Sequence, residues 1–159
     1  MSNLLKDASI LLTPTAYDNG RMLSIKPSKD LYGPEQADDS VISNTGGSIM
    51  TKVSALNYNA TSDGTAGSTI RPRLLFNNTT LGKKYKITIK STNRSGTILF
   101  KLFDGISYVI NNNDLSSDIN FSFVAKSSTT VNFNFDGTNV FNVDLEISLK
   151  EDLSGDFNF

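Results

Sequence analysis

Along the second half of the chain, apolar and polar residues alternate with a period of two. Tyr85, Ile87 and Ile89 fall on one face, with Lys84, Lys86, Thr88 and Lys90 on the other. Ile119, Phe121 and Phe123 alternate with Asn120 and Ser122, and Val131, Phe133 and Phe135 with Asn132 and Asn134. The longest run sets Phe141, Val143, Leu145, Ile147 and Leu149 against Asn142, Asp144, Glu146 and Ser148. A helix would repeat its apolar positions every three or four residues, so these four runs predict half-buried strands. A fifth run, Thr97 to Phe103, is apolar on both faces except at Lys101 and predicts a strand covered on two sides. Turn-forming clusters separate the runs: Asn93-Arg94-Ser95-Gly96, Asp104-Gly105, Asn111-Asn112-Asn113-Asp114 and Asp136-Gly137. The last of these predicts a hairpin between Val131–Asp136 and Asn139–Lys150. Short strands with no helical interlude predict an all-β, antiparallel β-sandwich of jelly-roll-like type.

The first half is less regular. Ser9–Thr13 reads as extended and closed by Pro14, and Arg21–Lys26 as a short strand ended by Pro27. Pro27–Gly47 carries Pro34, four acidic residues and Gly46-Gly47, and reads as a connecting loop with a short turn near Tyr32–Asp39. Ser48–Tyr58 is a candidate strand, followed by a turn-rich Asn59–Gly67. Ile70–Phe76 contains Pro72, which predicts an edge position or a late start. The resulting division is an N-terminal arm and connecting loop over 1–46, a sandwich over 47–150 and a C-terminal tail over 151–159. Both ends carry unusual apolar content. Leu4, Leu5, Ile10, Leu11 and Leu12 make the arm a poor free terminus, and Phe157 and Phe159 place aromatics in the tail. The arm either adds a strand to its own domain or docks on another protein by strand addition. The tail reads as an anchor on a neighbour or as a segment that continues in a longer protein.

Composition narrows the chemistry. The 159 residues suit one domain of ordinary size, and 38% hydrophobic content supports a core. Asn, Ser and Thr supply roughly a third of the chain. The formal net charge of −1 creates no broad field for nucleic acid or an anionic membrane. Cys and His are both absent, which removes disulfides, Ser–His and Cys–His nucleophiles, and the usual ligands of zinc, copper and haem. No cofactor is expected. Met1–Leu12 is interrupted by Lys6 and Asp7, so it reads neither as a signal peptide nor as a membrane span, and synthesis in a cytoplasm is expected.

Carboxylates remain as the candidate acid–base or calcium groups. Asp63, Asp104 and Asp136 each precede a glycine, and Asp-Gly is a preferred tight-turn pair, so turn chemistry is the reading adopted for them. Lys83, Lys84, Lys86 and Lys90 form a basic cluster, read as a solvated sheet face paired with Asp144 and Glu146. Five Asn-X-Ser/Thr triplets are ascribed to composition.

Residues Asn3–Gly20, together with Leu23-Ser24-Ile25-Lys26-Pro27, resemble the start of tailed-bacteriophage fibre and appendage proteins. Leu81-Gly82-Lys83-Lys84-Tyr85-Lys86-Ile87-Thr88-Ile89 resembles an opening strand of carbohydrate-binding jelly-roll modules. The final Ser154–Phe159 resembles a segment that in such phage proteins runs on into further sequence. The resemblance implies a non-catalytic virion structural protein, either the virion-proximal part of a fibre or a capsid or tail appendage. Such a protein acts by assembly with itself, often as a trimer, and with other virion proteins. Its arm interface would be Leu4, Leu5, Ile10, Leu11 and Leu12, and its tail interface Phe157 and Phe159. The alternative is a carbohydrate-binding module of a host-recognition protein. Trp is absent, so Tyr would have to supply the ring that stacks on a sugar.

Overall fold

The structure is a computed structural model that describes residues 17–18, 21–22, 32–66 and 70–154. The chain divides into two units, residues 1–31 and 32–159. In the first, β1 (Tyr17–Asp18) pairs antiparallel with β2 (Arg21–Met22).

The second unit is an antiparallel sandwich. Its strands in chain order are β3 (Tyr32–Glu35), β4 (Val41–Ser43), β5 (Ser48–Lys52), β6 (Asn57–Asp63), β7 (Ile70–Leu75), β8 (Lys84–Gly96), β9 (Leu99–Phe103), β10 (Tyr108–Asp114), β11 (Ile119–Val124), β12 (Asn132–Asp136) and β13 (Val140–Asp152). One sheet has the order β10-β9-β12-β7-β4. The other has β11-β8-β13-β6-β5, with β3 also paired to the far end of β13. None of the described residues is helical.

The period-two runs behave as expected. Tyr85, Ile87 and Ile89 on β8 and Phe141, Val143, Leu145, Ile147 and Leu149 on β13 point inward. They meet Leu74, Phe100, Leu102, Phe133 and Phe135 from the five-stranded sheet and Ile98 just before β9. A ring contact of 5.2 Å between Phe135 on β12 and Phe141 on β13 joins the two sheets across the core. Both fully buried tyrosines satisfy their hydroxyls. Tyr58 donates to Ala37 O at 2.9 Å, and Tyr85 accepts from Thr80 N at 2.8 Å, so neither leaves an orphan polar atom in the core. The Thr97–Phe103 run is covered on both faces at Phe100, Lys101 and Leu102.

Several expectations are corrected. Val131–Asp136 and Asn139–Lys150 are not a hairpin, because β12 and β13 lie in opposite sheets and Asp136-Gly137 carries the chain across the sandwich. Alternation shows which face of a strand is buried, and the crossover buries Phe133 and Phe141 as well as a hairpin would. β7 is interior rather than at an edge. Pro72 is tolerated there because β4 pairs only with Arg73–Leu75, and the β12 ladder is irregular between Asn134 and Asp136, where no ladder donor is required of Pro72. Two turn signals are bulges inside strands. Asn93 (φ 51°) lies within β8 and Asn112 (φ 53°) within β10, each at a register shift, where the left-handed backbone suits Asn. Asn59–Asp63 is strand rather than turn. The sandwich begins at β3, inside the stretch read as arm and connecting loop, and β13 runs on to Asp152, inside the stretch read as tail. Tyr32–Glu35 is a strand, with a turn only at Ala37–Ser40, where Ser40 N donates to Ala37 O at 3.3 Å.

Candidate functional site

β12 is the central strand of its sheet. With Val131, Phe133 and Phe135 committed to the core, Asn132 and Asn134 must point to the outer face. The register then assembles two rows across that face. Ser43 pairs with Arg73, Arg73 with Asn134, and Asn134 with Lys101. In the next row Val41 pairs with Leu75, Leu75 with Asn132, Asn132 with Phe103, and Phe103 with Tyr108. At the usual strand spacing the polar row spans about 14 Å and the apolar row about 19 Å. A cationic, amide-bearing row thus runs beside one edged with aliphatic and aromatic side chains.

The polar row has unused hydrogen-bonding capacity. Asn132 Nδ2 donates to Thr130 O at 2.7 Å, and Asn132 Oδ1 accepts from Asn134 Nδ2. The chain of amides stops there. Asn134 is 2% exposed, and its Oδ1 is buried with no donor. On the adjacent strand Arg73 Nε is buried with no acceptor. One unused acceptor and one unused donor thus sit on paired residues without bonding each other. Left unmade, each costs about 1–3 kcal/mol. A hydroxyl can donate to one and accept from the other, because it does both.

The flanking groups are charged. Arg71 Nη1 donates to Ser43 Oγ at the β4 end of the row. Lys101 is 8% exposed, and its Nζ lies 3.8 Å from Asp136 Oδ2, beyond hydrogen-bond length, and 5.8 Å from the centre of the Tyr108 ring. Burial by itself would raise the Asp136 carboxyl. The Thr138 hydroxyl and amide, at 2.6 and 3.0 Å, together with the Lys101 ammonium, outweigh it and hold the group below the usual carboxylate range. At the far end Phe103 and Tyr108 pack at 5.2 Å between ring centres, and Tyr108 keeps 41% of its surface exposed.

The other sequence candidates are accounted for. The arm residues Leu4, Leu5, Ile10, Leu11 and Leu12 and the tail residues Phe157 and Phe159 lie outside the described residues. The Asp-Gly carboxylates cap turns: Asp63 accepts from Thr65 N at 2.9 Å, Asp136 from Thr138 N, and Asp104 from Ile106 N at 2.9 Å and Ser107 N at 2.8 Å. Of the basic cluster, Lys90 pairs with Glu146 at 3.1 Å as expected. Lys83 reaches Glu151 at 3.2 Å, Lys84 reaches Asp152 at 2.8 Å, and Lys86 donates to Tyr32 OH at 2.8 Å. Asp144 accepts from Asn59 and Asn93. A cleft of about 410 Å³ also opens between the edge strands β10 and β11, with Phe100, Ile110 and Phe121 beneath Asn113, Asp118 and Asn120.

Sequence reading did not single out Arg73 or Tyr108. Lys101 stood out as a cation in an apolar run, and Asn132 and Asn134 as outward positions. Only the cross-strand register brings the five together.

No protein-family model and no curated protein matches the chain. Among solved structures, it is similar to the second N-terminal cellulose-binding domain of Cellulomonas fimi β-1,4-glucanase C, with 10% identity over 81% of this chain and 98% of that one and a TM-score of 0.44. It is also similar to the N-terminal cellulose-binding domain of the same enzyme, with 12% identity over 75% of this chain and 95% of that one and a TM-score of 0.38.

Proposed function

We propose that this protein is a non-catalytic carbohydrate-binding module that takes a saccharide chain across the outer face of the five-stranded sheet. The observation that carries the reading is the pair of buried, unused hydrogen-bonding atoms, Asn134 Oδ1 and Arg73 Nε, on paired residues of that face. Both atoms are covered in the free chain, so a ligand reaches them by shifting the Arg73 side chain, and a sugar hydroxyl then supplies the missing donor and acceptor together. The neighbouring row suits the rest of such a ligand. A pyranose ring has an apolar C–H face and a hydroxylated edge. Phe103, Tyr108 and Leu75 offer the apolar contact beside Arg73, Asn134 and Lys101, which offer polar contact. The rows are extended, which suits a linear chain more than a compact small molecule.

The test is a panel of oligosaccharides titrated by calorimetry against the full chain and against Tyr108→Ala. Tyr108 is partly exposed and packs on Phe103, so its loss should lower the melting temperature by no more than a few degrees and leave the fold intact. It should weaken the best ligand by about tenfold, through loss of stacking. If no member of the panel binds, or if Tyr108→Ala binds as tightly as the unaltered chain, the reading fails.

A further inference from the structure

The site's charge is unusual for this chain. Among the described residues, Arg71, Arg73 and Lys101 stand on the outer face with Asp136 as the carboxylate beside them, three cations to one anion in a protein whose formal net charge is −1. Little of that positive charge is used internally. Arg71 spends its bond on the neutral Ser43 hydroxyl. Arg73 makes no ion pair among the described residues, and its Nε has no acceptor. Lys101 is held at 3.8 Å from Asp136, a carboxylate whose Oδ1 already accepts from Thr138. Arg71 and Arg73 are half-buried with no close counter-charge among the described residues, and Lys101 has only Asp136, so a ligand that brings an anion improves the balance. Guanidinium groups match a planar carboxylate with two parallel hydrogen bonds, and such charge-assisted bonds are the stronger kind.

We infer that the ligand is an acidic saccharide, one carrying ring carboxylates of the uronic type, with a carboxylate seated between Arg73 and Lys101 over Asn134. This rests on the saccharide reading above and specifies its substrate class. Asn134 Nδ2 is already committed to Asn132, so the amide contributes its Oδ1 to a hydroxyl while the flanking cations take the carboxylate. A single-stranded nucleic acid would also be drawn by cations. However, it needs a succession of aromatic platforms along the groove, whereas among the described residues this face presents one exposed ring, Tyr108, packed on the half-buried Phe103.

The experiment titrates the full chain with galacturonate, glucuronate and mannuronate oligomers, each against its methyl ester, which keeps the skeleton and removes the charge. Neutral hexose oligomers and a thymidylate oligomer complete the set. The expected result is a preference of about tenfold or more for at least one acid over its own ester. That preference should shrink as salt rises from about 0.05 to 0.5 M, and Arg73→Gln should remove it, weakening the acid by a larger factor than its ester. Equal affinity for acid and ester, or a preference for neutral oligomers, overturns this inference and leaves the carbohydrate reading standing. An acid preference untouched by Arg73→Gln overturns the placement on this face. Binding of no saccharide, or tighter binding of the thymidylate oligomer than of any saccharide, overturns both.

Discussion

Replacing Asp104 with Asn tests how the aromatic end of the site is held. Asp104 lies in the loop between Phe103 and Tyr108, with its side chain 1% exposed. Its Oδ1 accepts from the amides of Ile106 and Ser107 at 2.9 and 2.8 Å, and its Oδ2 lies 2.8 Å from Lys126 Nζ. Its carbonyl also accepts from Lys126 N at 2.7 Å, so the residue ties the β9–β10 loop to the segment after β11. Burial would raise this carboxyl. The Lys126 ammonium and the two backbone amides lower it more, from 3.8 to about 2. Such a depression corresponds to about 2.4 kcal/mol at neutral pH. Lys126 is about half exposed, so solvent and salt weaken its share, and about 1–2 kcal/mol is the expected cost of Asp104→Asn at pH 7. Asn keeps the acceptor for the turn amides, while the oxygen facing Lys126 becomes an amide that donates and so loses that ion pair. The folded-state value lies below the unfolded one. The stabilisation is therefore complete above about pH 5 and is lost as the pH falls through 4 toward 2. Urea denaturation of both proteins at pH 7, 4, 3 and 2 should show a gap that narrows steadily toward the acid end. A gap that is absent at pH 7, or equally wide at pH 2, would show that the buried charge does not stabilise this loop.

Two further outcomes concern the sandwich itself. Phe133 is fully buried and touches Phe100 and Phe135 at 5.6 and 4.9 Å between ring centres, so Phe133→Ala should cost about 3–5 kcal/mol in denaturant unfolding; a loss below about 1 kcal/mol would mean that the position is not packed as described. Gly96 has φ +76° where β8 meets β13, and an added Cβ would lie 2.0 Å from Val140 O, so Gly96→Ala should cost at least about 2 kcal/mol. Unchanged thermal unfolding of that variant would refute the close approach of the two strands.

How much of this was legible in the sequence differs from element to element. β8, β11, β12 and β13 were readable because a side-chain period of two is a local property, and Phe, Ile and Val mark its buried phase. The Asp-Gly turns were readable for the same reason, since each Asp carboxylate caps amides within three residues of itself. Local signals failed where one chemistry serves two structures. Asn93 and Asn112 adopt left-handed backbone, which turns and bulges both require, and only the partner strand decides between them. The sheet to which β12 belongs was equally out of reach, because Phe133 and Phe135 are buried whether β13 lies beside them or across the core. The candidate site is the extreme case. Asn132 and Asn134 read as an ordinary outward face, Lys101 as an exception in an apolar run, and Arg73 as one residue of a segment shared with Pro72. Their meeting is decided by the order β9-β12-β7 and its register, and a shift of one residue would turn Asn134 into the core and break the row. The sequence by itself determined that Asn132 and Asn134 point away from the core of the sandwich. The tertiary structure alone determined that Asn134 lies between Arg73 and Lys101, because pairing between strands distant along the chain is set by packing of the whole sandwich.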